Sequence, residues 1–292
     1  MDYVGRIFRP PSEARSLLLQ VTVGCSHNRC TYCDMYRDKR FSAKPWPLVE
    51  ADIAEAAAAG PGGHQRVFLC DGDALILGTE KLAQILEAIR DRLPWVDRVG
   101  VYGDTRSVLR KSVDELRRLR ELGLGIVYHG VETGDDEVMA LIDKGGTRQE
   151  CVETAQRLRE AGITHSVMVL LGIGGTDLSE QHAKNTASML TAMDPPFVGA
   201  LTTTVVPNTP LAEAQARGDF VLPGKMELLG ELRTLVAESD LSACRFSANH
   251  ASNYLPIRAS LPHQKASLVG LLDEVLARGD ERILKPEWMR GL

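Results

Sequence analysis

The stretch GCSHNRCTYCDMY, residues 24–36, places Cys25, Cys30 and Cys33 within nine positions of one another, in a C-x4-C-x2-C spacing. Thiolates are soft ligands suited to zinc and to iron–sulfur clusters, and three so close together point to metal chemistry. Three readings compete. A structural zinc site would take His27 as the fourth member of a Cys3His set, although such sites usually draw a second knuckle and none is present. A plant-type ferredoxin shares the spacing and needs a fourth thiol, for which Cys70 is the only nearby candidate. The third is a four-iron cluster on three protein thiols, with one iron left open for chemistry. Cys70, Cys151 and Cys244 are scattered along the chain and read as packed or surface thiols.

The remaining composition narrows the class. The chain has 292 residues, 44% hydrophobic and 25% charged, enough to bury a sizeable core. A net charge of −5 argues against a general phosphate-binding surface, so nucleic acid is not the expected partner. The opening MDYVGRIFRPPSEARS lacks the apolar region of a signal peptide, and no apolar run approaches membrane-spanning length. A reducing, cytoplasmic setting follows as the expectation, in which clustered cysteines serve metal or catalysis.

Apolar runs alternate with helix signals. Strands are expected at Ser16–Val23, Arg66–Cys70, Asp97–Tyr102, Gly125–Val131, Thr164–Leu171 and Phe197–Thr204. Between them lie an alanine-rich helix opened by Pro47, an amphipathic helix from Thr79 to Leu93, and helices started by the capping boxes Ser112–Glu115 and Thr147–Glu150. Another helix spans Leu178–Met193, and the remainder reads as mostly helical with one short possible strand, Cys244–Ala248. Six buried strands alternating with helices mean parallel β/α units, either an open doubly wound sheet or a full or partial β/α barrel.

The chemically unusual residues follow the strands. The cysteine loop follows the first; Asp71-Gly72-Asp73 the second; Gly103-Asp104 the third. Glu132 ends the fourth, Gly172-Ile173-Gly174 follows the fifth, and Val205–Thr209 the sixth. In parallel β/α folds all these ends open on one rim, where sites assemble.

On the cysteine loop, with Tyr32 just before its third thiol, and on Gly130-Val-Glu-Thr-Gly-Asp-Asp-Glu-Val138, the chain resembles the radical S-adenosylmethionine (radical SAM) enzymes. The resemblance runs from Leu18 to Thr209, and favours the branch with methylthiotransferases, cobalamin-linked members and oxygen-independent coproporphyrinogen oxidase. It implies a partial (β/α)6 TIM-like barrel over residues 1–210 and a mostly helical C-terminal extension over 211–292, packed on or capping the barrel. It also implies that Cys25, Cys30 and Cys33 ligate a [4Fe–4S] cluster whose fourth iron is chelated by SAM. An electron from an external donor of flavodoxin or ferredoxin type then breaks a carbon–sulfur bond. The expected product is a 5′-deoxyadenosyl radical that abstracts hydrogen; a 3-amino-3-carboxypropyl radical is the alternative. Asp71, Gly72 and Asp73 stand where the family has its Gly-Gly-Glu-Pro turn near the SAM amino group. Glu132 matches a polar SAM contact, Lys144 a cation facing the carboxylate, and Gly172, Ile173 and Gly174 the adenine-side motif. Tyr32 and Asp104 complete the implied cofactor surroundings. Two departures stand out: one extra residue between Cys25 and Cys30, where the family has C-x3-C-x2-C, and a strand-two turn reading Asp-Gly-Asp-Ala.

Cys70, Tyr102 and His129 are the candidate catalytic side chains, and Arg106, Thr203, Asn249, His250 and Tyr254 the candidate substrate contacts. The last three lie in a polar stretch, Phe246–Leu255, that reads as a cap. With no second cysteine cluster, no cobalamin-binding region ahead of Leu18 and no RNA-binding module, a small-molecule substrate is expected.

Overall fold

Apolar, β-branched runs become strands, and the Pro- and Ser-started stretches between them become helices. The computed structural model describes residues 1–291, which divide into two units.

The first unit comprises residues 1–28, 35–129 and 153–165. It holds β1 (Leu17–Gln20), β2 (Thr22–Val23), β3 (Ser42–Ala43), α1 (Trp46–Ala59), β4 (Arg66–Cys70), α2 (Thr79–Arg92), β5 (Arg98–Tyr102), α3 (Thr105–Leu109), α4 (Val113–Glu121) and the start of β6 (Leu124–Glu132). Strands β1, β4, β5 and β6 pair in parallel in that order, with Leu17 beside Val67, Val67 beside Val99 and Val101 beside Val127. Their side chains, with Ile53, Leu82, Leu86, Leu116 and Leu119 from the helices, form one buried core. Each such residue contributes roughly 1.5–3 kcal/mol by leaving water. The Ser112 capping box forms as expected: Ser112 Oγ accepts from Glu115 N at 3.2 Å, and Glu115 Oε2 accepts from Ser112 N at 2.8 Å.

One expectation is corrected here. Ser16–Val23 is not one strand. Val21 N donates to Cys70 O at 2.7 Å, and beyond it β2 leaves the parallel ladder to pair antiparallel with β3, Thr22 beside Ala43. The cysteine loop is the connection between these two short strands.

The second unit comprises residues 29–34, 130–152 and 166 onward. It holds the end of β6, α5 (Asp136–Leu141), most of β7 (Thr164–Leu171), α7 (Gly175–Met193), β8 (Phe197–Thr202), α8 (Pro210–Arg217), α9 (Lys225–Glu238), β9 (Cys244–Ala248), β10 (Ile257–Leu261) and α10 (Lys265–Arg278); α6 (Arg148–Glu160) begins in it and ends in the first unit. Strands β7, β8 and β9 run parallel, and β10 returns antiparallel on β9. The expectation of a single short strand in the last eighty residues missed β10. Its IRASL alternates buried and exposed residues, the pattern of an antiparallel strand with one wet face. Among the described residues no helix is long and apolar enough to cross a membrane.

Candidate functional site

In the first unit, the segment after β4 is a set of buried carboxylates. Asp71 is fully buried, and its Oδ2 accepts from Gln20 Nε2 at 3.1 Å, Gly24 N at 3.1 Å and Lys39 Nζ at 3.0 Å. Its carboxylate therefore fastens the first residue of the cysteine loop. Gly72 is required by close approach: a Cβ there would lie 2.5 Å from the Tyr36 ring and 3.0 Å from Cys25 Cβ. Asp73 is also fully buried; Oδ2 accepts from Ser26 Oγ and, at 2.7 Å, from Ser107 Oγ, while Oδ1 accepts from Asp104 N at 3.2 Å. Burial first, then the Asp104 charge, pushes the Asp73 pKa above the usual carboxylate range.

Asp104 caps α3 by accepting from Arg106 N at 2.7 Å. The Arg106 guanidinium reaches back to the enlarged loop, where Nη2 donates to His27 Nδ1 at 2.9 Å and lies 3.4 Å from Asp104 Oδ2. A guanidinium always donates, so Nδ1 of His27 is the acceptor. His27 thus pins the loop that carries the extra residue.

Cys70 and His129 are fully buried, whereas Tyr102 is partly exposed. Cys70 Sγ faces Phe68 O at 3.7 Å, and burial pushes its thiol up to about 12. His129 bonds Thr105 Oγ1 at 3.0 Å and His165 Nε2 at 3.2 Å, its ring stacked on that of His165. Burial, then the neighbouring His129, holds His165 well below the usual imidazole value.

In the second unit, Glu132 ends β6 with φ +64°, a left-handed conformation that costs a non-glycine residue about 1–2 kcal/mol. Lys144 Nζ lies 3.5 Å from Glu132 Oε1, and the Tyr32 hydroxyl bonds the same carboxylate. Burial of that hydroxyl, then the Glu132 charge and the Cys30 and Cys33 thiols, pushes Tyr32 well above the phenol range. The ring packs with Ile173, Val138, Ile142 and Leu211. Thr31 is held by its backbone, donating to Ile142 O at 2.9 Å and accepting from Leu211 N at 3.0 Å. Past β7, Gly172 N donates to Glu231 Oε1 at 2.6 Å, and Gly174 caps α7.

The substrate candidates near the C-terminus are tied into the chain itself. Thr203 is buried, its carbonyl accepting from Arg290 Nη2 at 3.2 Å. Tyr254 donates to Glu287 Oε2 and accepts from Arg290 Nη1, both at 2.7 Å, with the guanidinium 4.4 Å above its ring. Burial, then the Glu287 bond, pushes its phenol up to about 12. His250 bonds Ser252 Oγ at 3.0 Å, and Asn249, exposed, presents its amide oxygen to Arg258.

Sequence reasoning missed Lys39, Ser26 and Ser107 in the first unit and Thr133, His182 and Glu231 in the second. Glu231 carried a signal: it sits on the face of α9 that Leu228, Leu232 and Leu235 make apolar, where a carboxylate demands partners. Lys39 sits in a polar run without periodicity and carried none.

The donor set suits a thiolate-held cluster: three cysteines in one short loop, none in a disulfide and each partly exposed, with Gly24 and Thr31 anchored on either side of its first two thiols. Residues 19–190 match the Radical SAM superfamily. Biotin synthase of Synechococcus sp. (strain WH7803) is 29% identical over 255 residues, 85% of this chain and 74% of that protein. Coproporphyrinogen III oxidase from Escherichia coli, described as a radical SAM enzyme, aligns with a TM-score of 0.59 at 16% identity over 78% of this chain and 55% of that one. The radical SAM methyltransferase TsrM from Kitasatospora setae, with cobalamin and a [4Fe–4S] cluster bound, gives 0.56 at 22% identity over 72% and 41%. The chain spans about half the length of other curated relatives it matches. These likenesses establish an α/β fold of the partial-barrel type with C-terminal helices. With the superfamily match covering more than half of its length, the chain belongs to the radical SAM superfamily, enzymes built on a [4Fe–4S] cluster and S-adenosylmethionine.

Proposed function

We propose that Cys25, Cys30 and Cys33 hold the [4Fe–4S] cluster, that the segments around Asp73, Glu132 and Gly172 hold SAM, and that a small molecule loses a hydrogen atom there. When bound, the cluster supplies the electron that cleaves a carbon–sulfur bond of SAM, giving a radical oxidising enough to attack an unactivated C–H bond. The observation that carries this reading is Glu132: a residue in left-handed backbone, its carboxylate shared by Lys144 and by Tyr32, the aromatic next to Cys33. Backbone strain of this kind concentrates where a side chain must be aimed.

The chain's own residues have definite tasks. Asp71 and Lys39 close the base of the loop, and Arg106 holds His27 across its extra residue. Lys144 offers a cation for a carboxylate, and Glu132, which already accepts the Tyr32 hydroxyl, offers its remaining acceptor positions to a polar ligand. The Tyr32, Ile173 and Leu211 cluster supplies an apolar wall that excludes water. The electron donor is read as an external flavodoxin or ferredoxin type, and the setting as the reducing cytoplasm that exposed cluster thiols need.

Anaerobic reconstitution with iron and sulfide, followed by SAM and dithionite, tests the reading. It expects about four irons per chain, as a [4Fe–4S] cluster requires, lost in Cys25→Ala, Cys30→Ala and Cys33→Ala but kept in Cys70→Ala, with 5′-deoxyadenosine as product. Methylthioadenosine would move the chemistry to the 3-amino-3-carboxypropyl radical. A fully loaded cluster that leaves SAM intact would overturn the reading.

A further inference from the structure

Behind the segments ending β6 and β7 runs a chain of buried polar side chains that the proposed chemistry does not use. Thr133, next to Glu132, lies with its Oγ1 2.7 Å from His182 Nδ1 on α7. The other ring nitrogen, Nε2, lies 3.3 Å from Glu231 Oε1 on α9, in close approach but outside aligned hydrogen-bond geometry. That same oxygen accepts from Gly172 N at 2.6 Å, and Glu231 Oε2 accepts from Ser179 Oγ at 2.7 Å. Thr186 Oγ1 accepts from Gly134 N at 2.9 Å, so α7 grips the β6 end at two successive residues. Thr133, His182 and Thr186 are fully buried and the Glu231 side chain is out of solvent.

The placement is costly unless it serves something. A carboxylate taken out of water loses several kcal/mol of solvation, and leucine would fit the apolar face of α9 without that loss. Gly172 explains the site on one side. Its φ of +80° turns the chain sharply after β7, and a Cβ would meet Leu228 Cδ2 at 2.6 Å, so the turn has no side chain of its own to hold it. The fixed point must come from elsewhere, and Glu231 provides it. On the other side, Thr133 follows the strained Glu132 directly, so whatever holds Thr133 also limits where the Glu132 carboxylate points.

We propose that Thr133, His182 and Glu231 form a positioning relay that ties the Glu132 segment to the Gly172 segment, so that the two move as one when SAM binds. The inference rests on the reading that these two segments carry SAM. The relay residues touch no ligand; they set the backbone of those that do. Because each link is buried, loosening one end loosens the other, across α7 and α9.

Hydrogen exchange on the metal-free chain reads the coupling without SAM. Glu231→Leu is expected to raise exchange about tenfold or more at residues 172–176 and also at 132–135, while Glu231→Gln, which keeps an acceptor for Gly172 N, restores most of the protection. Leu272→Ala, a core truncation in α10, is the control: it lowers stability without favouring those two segments. Should Glu231→Leu not fold, Thr133→Val reads the same coupling from the opposite end, at 172–176. Exchange raised only around the mutated end, or raised equally by Leu272→Ala, overturns the relay. In reconstituted protein, equilibrium dialysis is expected to show SAM held about tenfold less tightly by Glu231→Leu and by His182→Leu, with iron content unchanged. A wild-type chain that fails to bind SAM would bring down the proposed function, while the exchange data still decide the relay.

Discussion

Lys39 and Asp71 form an ion pair sealed from solvent, Nζ to Oδ2 at 3.0 Å, with side chains 4% and 0% exposed. Removing one partner strands the other charge, a loss of about 3–5 kcal/mol. Lys39→Met is therefore expected to lower unfolding free energy by that amount in urea titrations, and the double variant Lys39→Met with Asp71→Asn by less than the two singles added together. A single-variant loss below about 1 kcal/mol would show that the pair holds nothing in place.

Glu132→Gln keeps the shape of the side chain and removes the charge that Lys144 faces. SAM is expected to bind about tenfold less tightly, near 1.4 kcal/mol, with iron per chain unaltered. Equal affinity in variant and wild type would remove Glu132 from the cofactor contacts.

Arg106→Leu cuts the tie between α3 and His27. The Arg106 side chain is 39% exposed, so the stability loss should be modest, about 1 kcal/mol. The effect should fall on the loop: after desalting, iron retained per chain drops below wild type. Iron retained in full would leave His27 without a part in holding the extra residue.

Lys111 is buried, donating to Leu75 O at 2.6 Å and Ser107 O at 3.3 Å, and burial lowers its pKa to about 8. Between that value and the ordinary lysine value near 10.5, the unfolded chain binds a proton that the folded chain has released. This residue's contribution to stability therefore rises with pH across the window and is flat below it. The buried phenols and Cys70, whose pKa values are raised, act in the opposite direction, so the measurement is a difference: wild type minus Lys111→Met, in guanidinium titrations at pH 7.5, 8.5 and 9.5. A difference that falls or stays level with rising pH contradicts the assignment.

Much of the scaffold was legible because buried parallel strands write themselves as apolar runs. Arg66–Cys70 and Thr164–Leu171 are strands at the stated bounds, and the Ser112 capping box forms as its residues require. Ser16–Val23 misled because Val21 continues the apolar run although its carbonyl already accepts from Lys44 N, just past β3. The cysteine loop could be singled out from its spacing, and Glu132 and Gly172 from their place at strand ends and from the family resemblance. Their supports could not, since contacts such as Lys39 to Asp71 join residues 32 apart by tertiary placement alone. Glu231 shows the middle case: the pattern of α9 marks it as buried, but its partners Gly172 N and His182 come together only in the fold.

Strand β10 has a consequence for how the chain behaves before and after folding. Among the described strands it pairs with β9 alone, and on its other side Ser260 is bonded within the chain, its N donating to Gln264 Oε1 at 2.7 Å and its O accepting from Gln264 N at 2.9 Å. Pro256 and Pro262 bracket it, removing amide donors at both ends, and Arg258 and Ser260 point outward between buried Ile257, Ala259 and Leu261. These features leave the outer side of β10 few amides to offer a second strand, a local guard against strand-to-strand association.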